Sequence, residues 1–287
     1  MNRRQLLATL AAAPAATQLH AQPAPKFRFR SGLVAYSYRK EMAAKSMTYE
    51  GLIQRIADWG LDGLDCTVYW FPDTSAEYLS SLRKTAFKSG VQIYNAGVRV
   101  RLSQPTPELQ RAEFENIKKW VDVTERIGAS HMRVFGGNIP AGATESQAIA
   151  WAAEVLKRGA EYAGSKGIIL GIEDDGGLTT EAGPTIEIVK QAASPWVGIN
   201  ADSGNLKTNG YSQFESMLPY ATSIHLKSEI AGADGKTEAA DWSRLLGMLG
   251  KAGYKGYVGL EYEGSNAESD VPRLAAKLGA LVRKLSA

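Results

Sequence analysis

The sequence predicts an α/β fold, a single-domain (β/α)8 barrel, and three observations lead to this prediction. Short apolar runs typical of buried strands alternate with amphipathic stretches typical of helices along the chain. Eight such runs fall within about 250 residues, the length that eight strand and helix units require. No Pro/Ser-rich linker or low-complexity tract interrupts this alternation. We therefore expect one large domain.

The predicted strands are short runs rich in apolar side chains, as expected for a parallel sheet that is covered on both faces. In the stretches between them, apolar residues recur at intervals of three and four, and several stretches end in the glycine expected just past a helix. A final helix over residues 268–285 would complete the ring. In chain order, the predicted strands span residues 32–36, 63–67, 92–96, 131–135, 168–173, 197–202, 223–227 and 257–261.

The N-terminus has the pattern of a twin-arginine export signal. Arg3 and Arg4 precede an Ala-rich apolar stretch, and a plausible cleavage point follows Ala21. The stretch is weakly apolar and contains Pro14, so it is not expected to remain as a membrane-spanning helix. We assign residues 1–21 to the signal, 22–30 to a flexible segment and 31–287 to the barrel. The expected location is periplasmic or otherwise exported, without a stable membrane anchor.

The charge of the chain argues against some classes of partner, and its cysteine content excludes an internal disulfide. The chain has 33 basic and 30 acidic residues, a formal charge of +3, and Arg3 and Arg4 of the signal contribute two of these charges. No basic patch indicates nucleic acid or an anionic membrane as a partner. Cys66 is the only cysteine, so the fold cannot contain an internal disulfide, and we interpret Cys66 as buried and inert. The sequence does not determine the oligomeric state.

Four candidate metal ligands stand at the ends of successive predicted strands. Glu173, Asp202, His225 and Glu261 close the apolar runs GIILGIE, WVGINAD, TSIHL and YVGLE, at separations of 23 to 36 residues. The carboxyl ends of barrel strands meet at one mouth, where the active sites of such barrels lie. Three carboxylates and one imidazole suit a divalent ion such as Mn²⁺, Mg²⁺, Co²⁺ or Zn²⁺. The alternative is that four polar residues end four strands as helix caps or ion pairs.

The segments around these residues carry a family resemblance. GIEDDGG, NADSGN, SIHLKSE and GLEYEG resemble the metal-site segments of the xylose-isomerase-like barrel superfamily, in its sugar phosphate isomerase and epimerase branch. The resemblance implies one divalent ion, most often Mn²⁺, bound by Glu173, Asp202, His225 and Glu261. It further implies that Glu173 and Glu261 are the catalytic groups that remove and return a proton next to a substrate carbonyl, through a metal-stabilised enediolate.

The chain departs from the family pattern beside two of the proposed ligands. Asn205 occupies the position three residues after the aspartate, where many relatives have histidine, and Asp174-Asp175 follow the first glutamate in place of Asn-His. An asparagine can still donate a hydrogen bond to a substrate hydroxyl. We interpret Asp175 as a cap of the loop before Gly176 rather than as a ligand.

Five further residues are candidate contacts of the substrate. Lys227 lies two residues beyond His225, and Glu263 lies two beyond Glu261, so each should face the same side as its neighbour. Glu263 is thus the alternative to Glu261, which we prefer because it directly ends the apolar run. The remaining candidates are Asn205, Arg133 in the fourth strand and Trp70 after the second. His131, at the opposite end of the fourth strand, is expected to be structural.

The chemistry of such a site leaves three functions open. Proton abstraction and return next to a carbonyl gives epimerisation or aldose-ketose isomerisation of a carbohydrate. The same abstraction followed by β-elimination would make the protein a keto-glycoside lyase or hydrolase. A barrel that keeps its pocket without the reaction would be a carbohydrate-binding protein. Because sugar phosphates are mainly cytoplasmic, an exported protein is expected to act on a free sugar or keto-sugar.

Overall fold

A computed structural model describes residues 27–286, and the fold is the predicted (β/α)8 barrel. Eight parallel strands close in the order β1-β2-β3-β4-β5-β6-β7-β10, and a two-stranded antiparallel hairpin, β8-β9, stands apart from them. The strands are β1 (Arg28–Val34), β2 (Gly63–Thr67), β3 (Gln92–Arg101), β4 (His131–Phe135), β5 (Ile169–Glu173), β6 (Val197–Asp202), β7 (Ala221–Leu226), β8 (Glu229–Ala231), β9 (Thr237–Ala239) and β10 (Lys255–Leu260).

The helices cover the barrel from outside, and their sequences explain where they begin. Thr48, Ser75, Thr106, Thr144 and Asp241 each accept a hydrogen bond from a backbone N–H of the first helical turn, which satisfies a donor that has no partner within the helix. The α-helices are α1 (Arg39–Ala43), α2 (Tyr49–Asp58), α3 (Ala76–Lys88), α4 (Pro107–Ile127), α5 (Glu145–Ser165), α6 (Ala182–Ala192), α7 (Gly210–Met217), α8 (Trp242–Lys251) and α9 (Ala267–Ser286).

The barrel begins earlier than predicted. Strand β1 starts at Arg28 and pairs with β10 from Arg28 opposite Lys255 onward, so residues 28–30 belong to the barrel and not to a flexible segment. The physical reason is burial: Phe29 is 5% exposed and its ring stacks on that of Phe27 at a centroid distance of 5.3 Å. The predicted export signal and residues 22–26 lie outside the described residues.

Two more features were not predicted. Strand β3 continues beyond Ala96 to Arg101 because a bulge and further pairing with β4 extend it. The β8-β9 hairpin follows β7 directly, and its strands of 3 residues each are too short to be recognised from the sequence. Among the described residues, no helix is both long and apolar enough to cross a membrane.

The bulge in β3 changes which side chains enter the barrel. Leu64 of β2 pairs with Ile93, whereas Asp65 pairs with Asn95, so Tyr94 is the extra residue. Its ring stacks on that of Tyr257 at 4.0 Å. A Cβ at Gly259 would lie only 2.4 Å from the Tyr94 hydroxyl, so glycine at this position makes room for the ring. The bulge thus allows both Tyr94 and the buried Asn95 to occupy the interior.

Candidate metal centre

The four candidate ligands converge at the C-terminal mouth of the barrel. Strands β5 and β6 end at Glu173 and Asp202, His225 lies one residue before the end of β7, and Glu261 directly follows β10. The Glu261 N–H donates to the Leu226 carbonyl at 3.1 Å, which holds this residue beside β7. One ligand atom from each side chain lies within 4.8 Å of the others, and all four residues are buried. Strand ends separated by tens of residues are thereby brought to one point.

His225 presents one ring nitrogen to this cluster and the other to a supporting carboxylate. Nε2 lies 2.8 Å from Asp65 Oδ2. Nδ1 lies 2.8 Å from Glu173 Oε1 and 3.3 Å from Glu261 Oε2. The two contacts of Nδ1 lack hydrogen-bond geometry, so Nδ1 has no hydrogen-bond partner among the described residues. His225 Nδ1 and the carboxylate oxygens of the cluster therefore surround one shared space.

The electrostatics of the cluster favour a positive charge. Burial alone would lower the pKa of His225, but the charges of Glu261 and Glu173 outweigh this effect and raise the pKa well above its usual value. Burial also raises the pKa of Asp202 well above its usual range, while the charge of Lys227 opposes the rise. Asp202 Oδ2 is a second buried atom without a hydrogen-bond partner in the described chain. Two orphaned buried atoms in a set of three carboxylates and one imidazole fit a divalent cation.

Two basic side chains neutralise part of the negative charge. Arg133 Nε lies 3.2 Å from Glu173 Oε2, and its Nη1 donates to the Tyr69 hydroxyl at 3.0 Å. Lys227 Nζ lies 3.3 Å from Asp202 Oδ2 and 3.7 Å from Glu261 Oε2. Lys227 and Arg133 both face carboxylates of the cluster.

The other predicted contacts surround Lys227. Its Nζ donates to Asn205 Oδ1 at 2.6 Å and to Glu263 Oε1 at 2.5 Å. Glu261 belongs to the cluster, whereas the Glu263 side chain is 48% exposed and reaches only Lys227. Of the two glutamates that sequence reasoning left as alternatives, the fold brings Glu261 to the candidate ligands and leaves Glu263 at the rim.

Trp70 lies in the 3-10 turn Val68–Trp70 that follows β2, and its ring stacks on Tyr36 at 6.0 Å. The side chain of Asp175 makes no hydrogen bond within the described chain, and the turn after Gly176 has no side-chain cap. The interpretation of Asp175 as a loop cap is therefore wrong. Asp175 is exposed and follows the end of β5 by two residues, so it lies near the mouth.

Sequence reasoning missed the polar residues that support the cluster from below. Asp65 and Asn95 are fully buried in β2 and β3, and Asn200 Nδ2 donates to Glu173 Oε1 at 3.2 Å. Asp174 Oδ1 accepts the Asp202 N–H at 2.7 Å and so holds the end of β6. The signal was present in the sequence: a polar residue within an apolar strand run is buried and must have a partner. His131, in contrast, is structural as expected, with Asn95 and Thr222 as its partners.

The closed barrel and its acidic mouth define the class of protein, a (β/α)8 barrel with its candidate site at the strand ends. The model of the family described as xylose isomerase-like TIM barrel matches residues 53–284. Because this match covers more than half of the sequence, the chain belongs to the xylose isomerase-like TIM barrel family. No curated protein matches the sequence significantly.

Solved structures share the fold at low sequence identity. D-psicose 3-epimerase with D-tagatose from Clostridium cellulolyticum H10 is 15% identical, with a TM-score of 0.70 over 89% of this chain and 99% of that one. The 3-keto-D-glucoside 4-epimerase from E. coli is 12% identical, with a TM-score of 0.69 over 90% and 100%. A sugar phosphate isomerase/epimerase from Parabacteroides distasonis is 17% identical, with a TM-score of 0.66 over 93% and 98%. At such identities the likeness establishes the fold alone.

Proposed function

We propose that the protein is a divalent-metal-dependent sugar isomerase or epimerase. The observation that carries the proposal is the convergence of four buried ligand atoms from Glu173, Asp202, His225 and Glu261 within 4.8 Å. Within this set, His225 Nδ1 and Asp202 Oδ2 are buried without hydrogen-bond partners among the described residues, which supplies the physical reason for a cation. The family and the names of the structural neighbours support a carbohydrate as substrate.

The ion that we propose is Mn²⁺, held by all four residues, with Mg²⁺, Co²⁺ and Zn²⁺ as the other candidates. When bound, such an ion supplies Lewis-acid polarisation of a carbonyl oxygen. Three carboxylates against one imidazole favour a cation that prefers oxygen ligands. The Asp202 carboxylate, which also accepts the Gly204 N–H at 2.7 Å, is held in place by its own loop.

Glu173 and Glu261 are the residues that we assign to proton transfer. Their strands, β5 and β10, are separated in the barrel by β6 and β7, so the two carboxylates approach the centre from different directions. One carboxylate removes the proton from the carbon next to the substrate carbonyl, and the other returns a proton. Return to the same carbon from the opposite face gives an epimer. Return to the former carbonyl carbon, with the neighbouring hydroxyl proton passing to the former carbonyl oxygen, gives the isomeric sugar. Lys227, with its Nζ at 2.6 Å from Asn205, is placed to bind a substrate oxygen.

We propose an uncharged free sugar or keto-sugar as the substrate. The two basic side chains that face the cluster, Arg133 and Lys227, are already paired with carboxylates in the described structure. The phosphate of a sugar phosphate would need additional cationic side chains or backbone N–H groups that are not already paired. Asn205, Glu263 and Trp70 supply instead an amide, a carboxylate and an aromatic face, which are groups that bind hydroxyls and the apolar face of a sugar ring.

The experiment that tests the proposal combines metal analysis with solvent exchange. The purified protein should bind one divalent ion, and in D₂O it should introduce deuterium next to the carbonyl of one member of a panel of ketoses and keto-glycosides. Release of the aglycone from a keto-glycoside would instead establish a lyase or hydrolase. Binding of sugars without exchange or cleavage would establish a carbohydrate-binding barrel, and either outcome would overturn the proposal.

We also propose that the protein is exported through its first 21 residues, with the barrel as the exported domain. The support is the sequence pattern around Arg3, Arg4 and Ala21. Deletion of residues 2–21 should retain the protein in the cytoplasm in a folded form, and substitution of both arginines by lysine should block export of the otherwise unchanged chain. Export of the lysine variant at the normal rate would contradict the proposal.

A further inference from the structure

We propose that Asp65 is a positioning residue that fixes His225 as an Nδ1 ligand of the metal site. The inference rests on the proposed metal site but not on the reaction that the site performs. Asp65 does not touch the cluster's shared space; it acts through the imidazole, whose Nε2 lies 2.8 Å from Asp65 Oδ2. Both side chains are only 1% exposed, so water does not compete for this contact.

The hydrogen bonds around Asp65 determine the tautomer of His225. A carboxylate oxygen only accepts, so the imidazole must carry its proton on Nε2 to bond with Asp65. In the neutral ring, the form that can bind a metal, Nδ1 then keeps its lone pair on the side of Glu173 Oε1, at 2.8 Å, and Glu261 Oε2, at 3.3 Å. If Asp65 were absent, the proton could occupy Nδ1, where two carboxylate oxygens would accept it, and the nitrogen would then be blocked as a ligand.

Asn95 in turn holds Asp65 by a hydrogen bond. The orientation of the Asn95 amide follows from the donor and acceptor roles of its neighbours. The atom of Asn95 that lies 2.6 Å from Asp65 Oδ2 must be the amide nitrogen, because an oxygen there would face a second acceptor. The Asn95 oxygen therefore faces His131 Nδ1 at 2.8 Å, so that this nitrogen carries the proton. His131 Nε2 lies 3.0 Å from the Thr222 hydroxyl, which also lies 3.3 Å from the Ile199 carbonyl.

His131 is suited to this arrangement because it stays neutral. Burial lowers its pKa to about 4, so at neutral pH the ring has one N–H and one acceptor nitrogen. A chain of hydrogen bonds thus runs from Thr222 at the opposite end of the barrel, through His131, Asn95 and Asp65, to the metal ligand. From His131 Nδ1 through Asn95 and Asp65 to His225, each donor and acceptor has one consistent assignment, which is the condition for a buried polar network to hold one geometry.

The first experiment measures the tautomer in the unmodified protein. The chain contains three histidines, so a histidine-specific ¹⁵N label gives few signals, and Asp65→Ala and His225→Ala identify those of His225. With Zn²⁺ bound, we expect a protonated Nε2 and an unprotonated Nδ1. Observation of a protonated Nδ1, or of Nε2 as the bound nitrogen, would overturn the proposal.

The second experiment measures the dissociation constant for Mn²⁺ and Zn²⁺ in variants. Loss of a carboxylate behind a metal-ligating histidine lowers metal affinity by about 10- to 100-fold, and we expect this loss for Asp65→Ala. Asp65→Asn keeps an acceptor oxygen without the charge, so its loss should be smaller. Asp62→Asn is the matched control: it alters a carboxylate three residues earlier, which accepts from the Ser31 N–H and hydroxyl at 2.7 and 2.8 Å, and should leave metal affinity unchanged.

The outcomes separate this inference from the proposed function. Wild-type metal affinity in a folded Asp65→Ala protein would overturn the role of Asp65 and leave the metal site intact. Failure of the unmodified protein to bind any divalent ion would overturn the metal site itself. If Asp65→Ala does not fold, Asp65→Asn and the tautomer of the unmodified protein still decide the question.

Discussion

Arg133 Nε lies 3.2 Å from Glu173 Oε2, and the two side chains are 4% and 5% exposed. The guanidinium is also bound by the Tyr69 hydroxyl and the Val98 carbonyl. A Cβ on Gly97 would lie 2.8 Å from its Nη2, so β3 passes close to it. Glu173 thus keeps a permanent positive neighbour on the side that faces away from the candidate ligands.

We predict that Arg133→Met destabilises the metal-free protein by about 3–5 kcal/mol, because it removes the guanidinium that pairs with the buried Glu173 carboxylate. Urea denaturation in the presence of a chelator measures this loss. The Arg133→Met/Glu173→Gln double variant should lose less than the sum of the single variants. Arg111→Met, which removes an exposed pair with Glu108, is the control and should change stability by less than about 1 kcal/mol. A similarly small effect at Arg133 would contradict the prediction.

We predict that Glu173→Gln and Glu261→Gln each lower solvent proton exchange by ~10² to 10⁴, the usual contribution of a general base. Each amide retains an oxygen that can bind the ion but cannot accept a proton at neutral pH. His225→Ala removes a ligand outright, so metal affinity should fall more in this variant than in either glutamine variant. Deuterium incorporation and metal titration measure the two effects separately.

The control for these variants is Glu263→Gln, which changes a rim carboxylate paired with Lys227 and should leave metal affinity close to that of the unmodified protein. Near-normal exchange in both Glu173→Gln and Glu261→Gln, with metal still bound, would show that these carboxylates are only ligands. Glu263 would then be the next candidate base.

Removal of the metal should lower thermal stability. The centre is a buried set of carboxylates, so a cation that binds the folded state stabilises it by about 2.7 kcal/mol at a concentration 100-fold above its Kd. Differential scanning calorimetry with and without chelator should show a Tm difference of several degrees in the unmodified protein. In His225→Ala the difference should shrink strongly; an equal chelator effect in both proteins would place the bound ion elsewhere.

The free energy of unfolding should depend on pH through the ionisation of His131. Its pKa is lowered to about 4 in the folded protein, compared with about 6.5 in an unfolded chain, so below pH 6.5 the unfolded state binds more protons. The neutral ring of His131 therefore makes its full contribution to the free energy of unfolding above pH 6.5. This contribution is lost as the pH falls towards 4. Its size is on the order of 3 kcal/mol.

His131→Gln isolates this effect, because the variant lacks the titrating ring but keeps an amide that can donate to Asn95. The difference in unfolding free energy between the two proteins should change across pH 4 to 6.5 and stay constant above it. A difference that is independent of pH in this window would show that His131 is not held neutral by the fold.

The sequence by itself determined the architecture and the candidate ligands. The alternation of apolar runs with amphipathic helices is a local property of the sequence. Eight such repeats are sufficient to predict the barrel and its mouth, because the parallel strands of one barrel all end at the same face. Strands β2, β4 and β6 therefore have the predicted bounds. The placement of Glu173, Asp202, His225 and Glu261 at strand ends was visible for the same reason.

The tertiary structure alone decided which polar groups contact one another. The choice between Glu261 and Glu263 could not come from alternation, since both face the same side; it depends on the depth at which β10 ends beside β7. The partnership of Asp65 with His225 joins residues 160 positions apart, and it depends on the register of β2 and β3 and on the bulge at Tyr94. Local pattern specifies the strands, whereas closure of the barrel fixes the distances between side chains on strands that are not neighbours in the sequence.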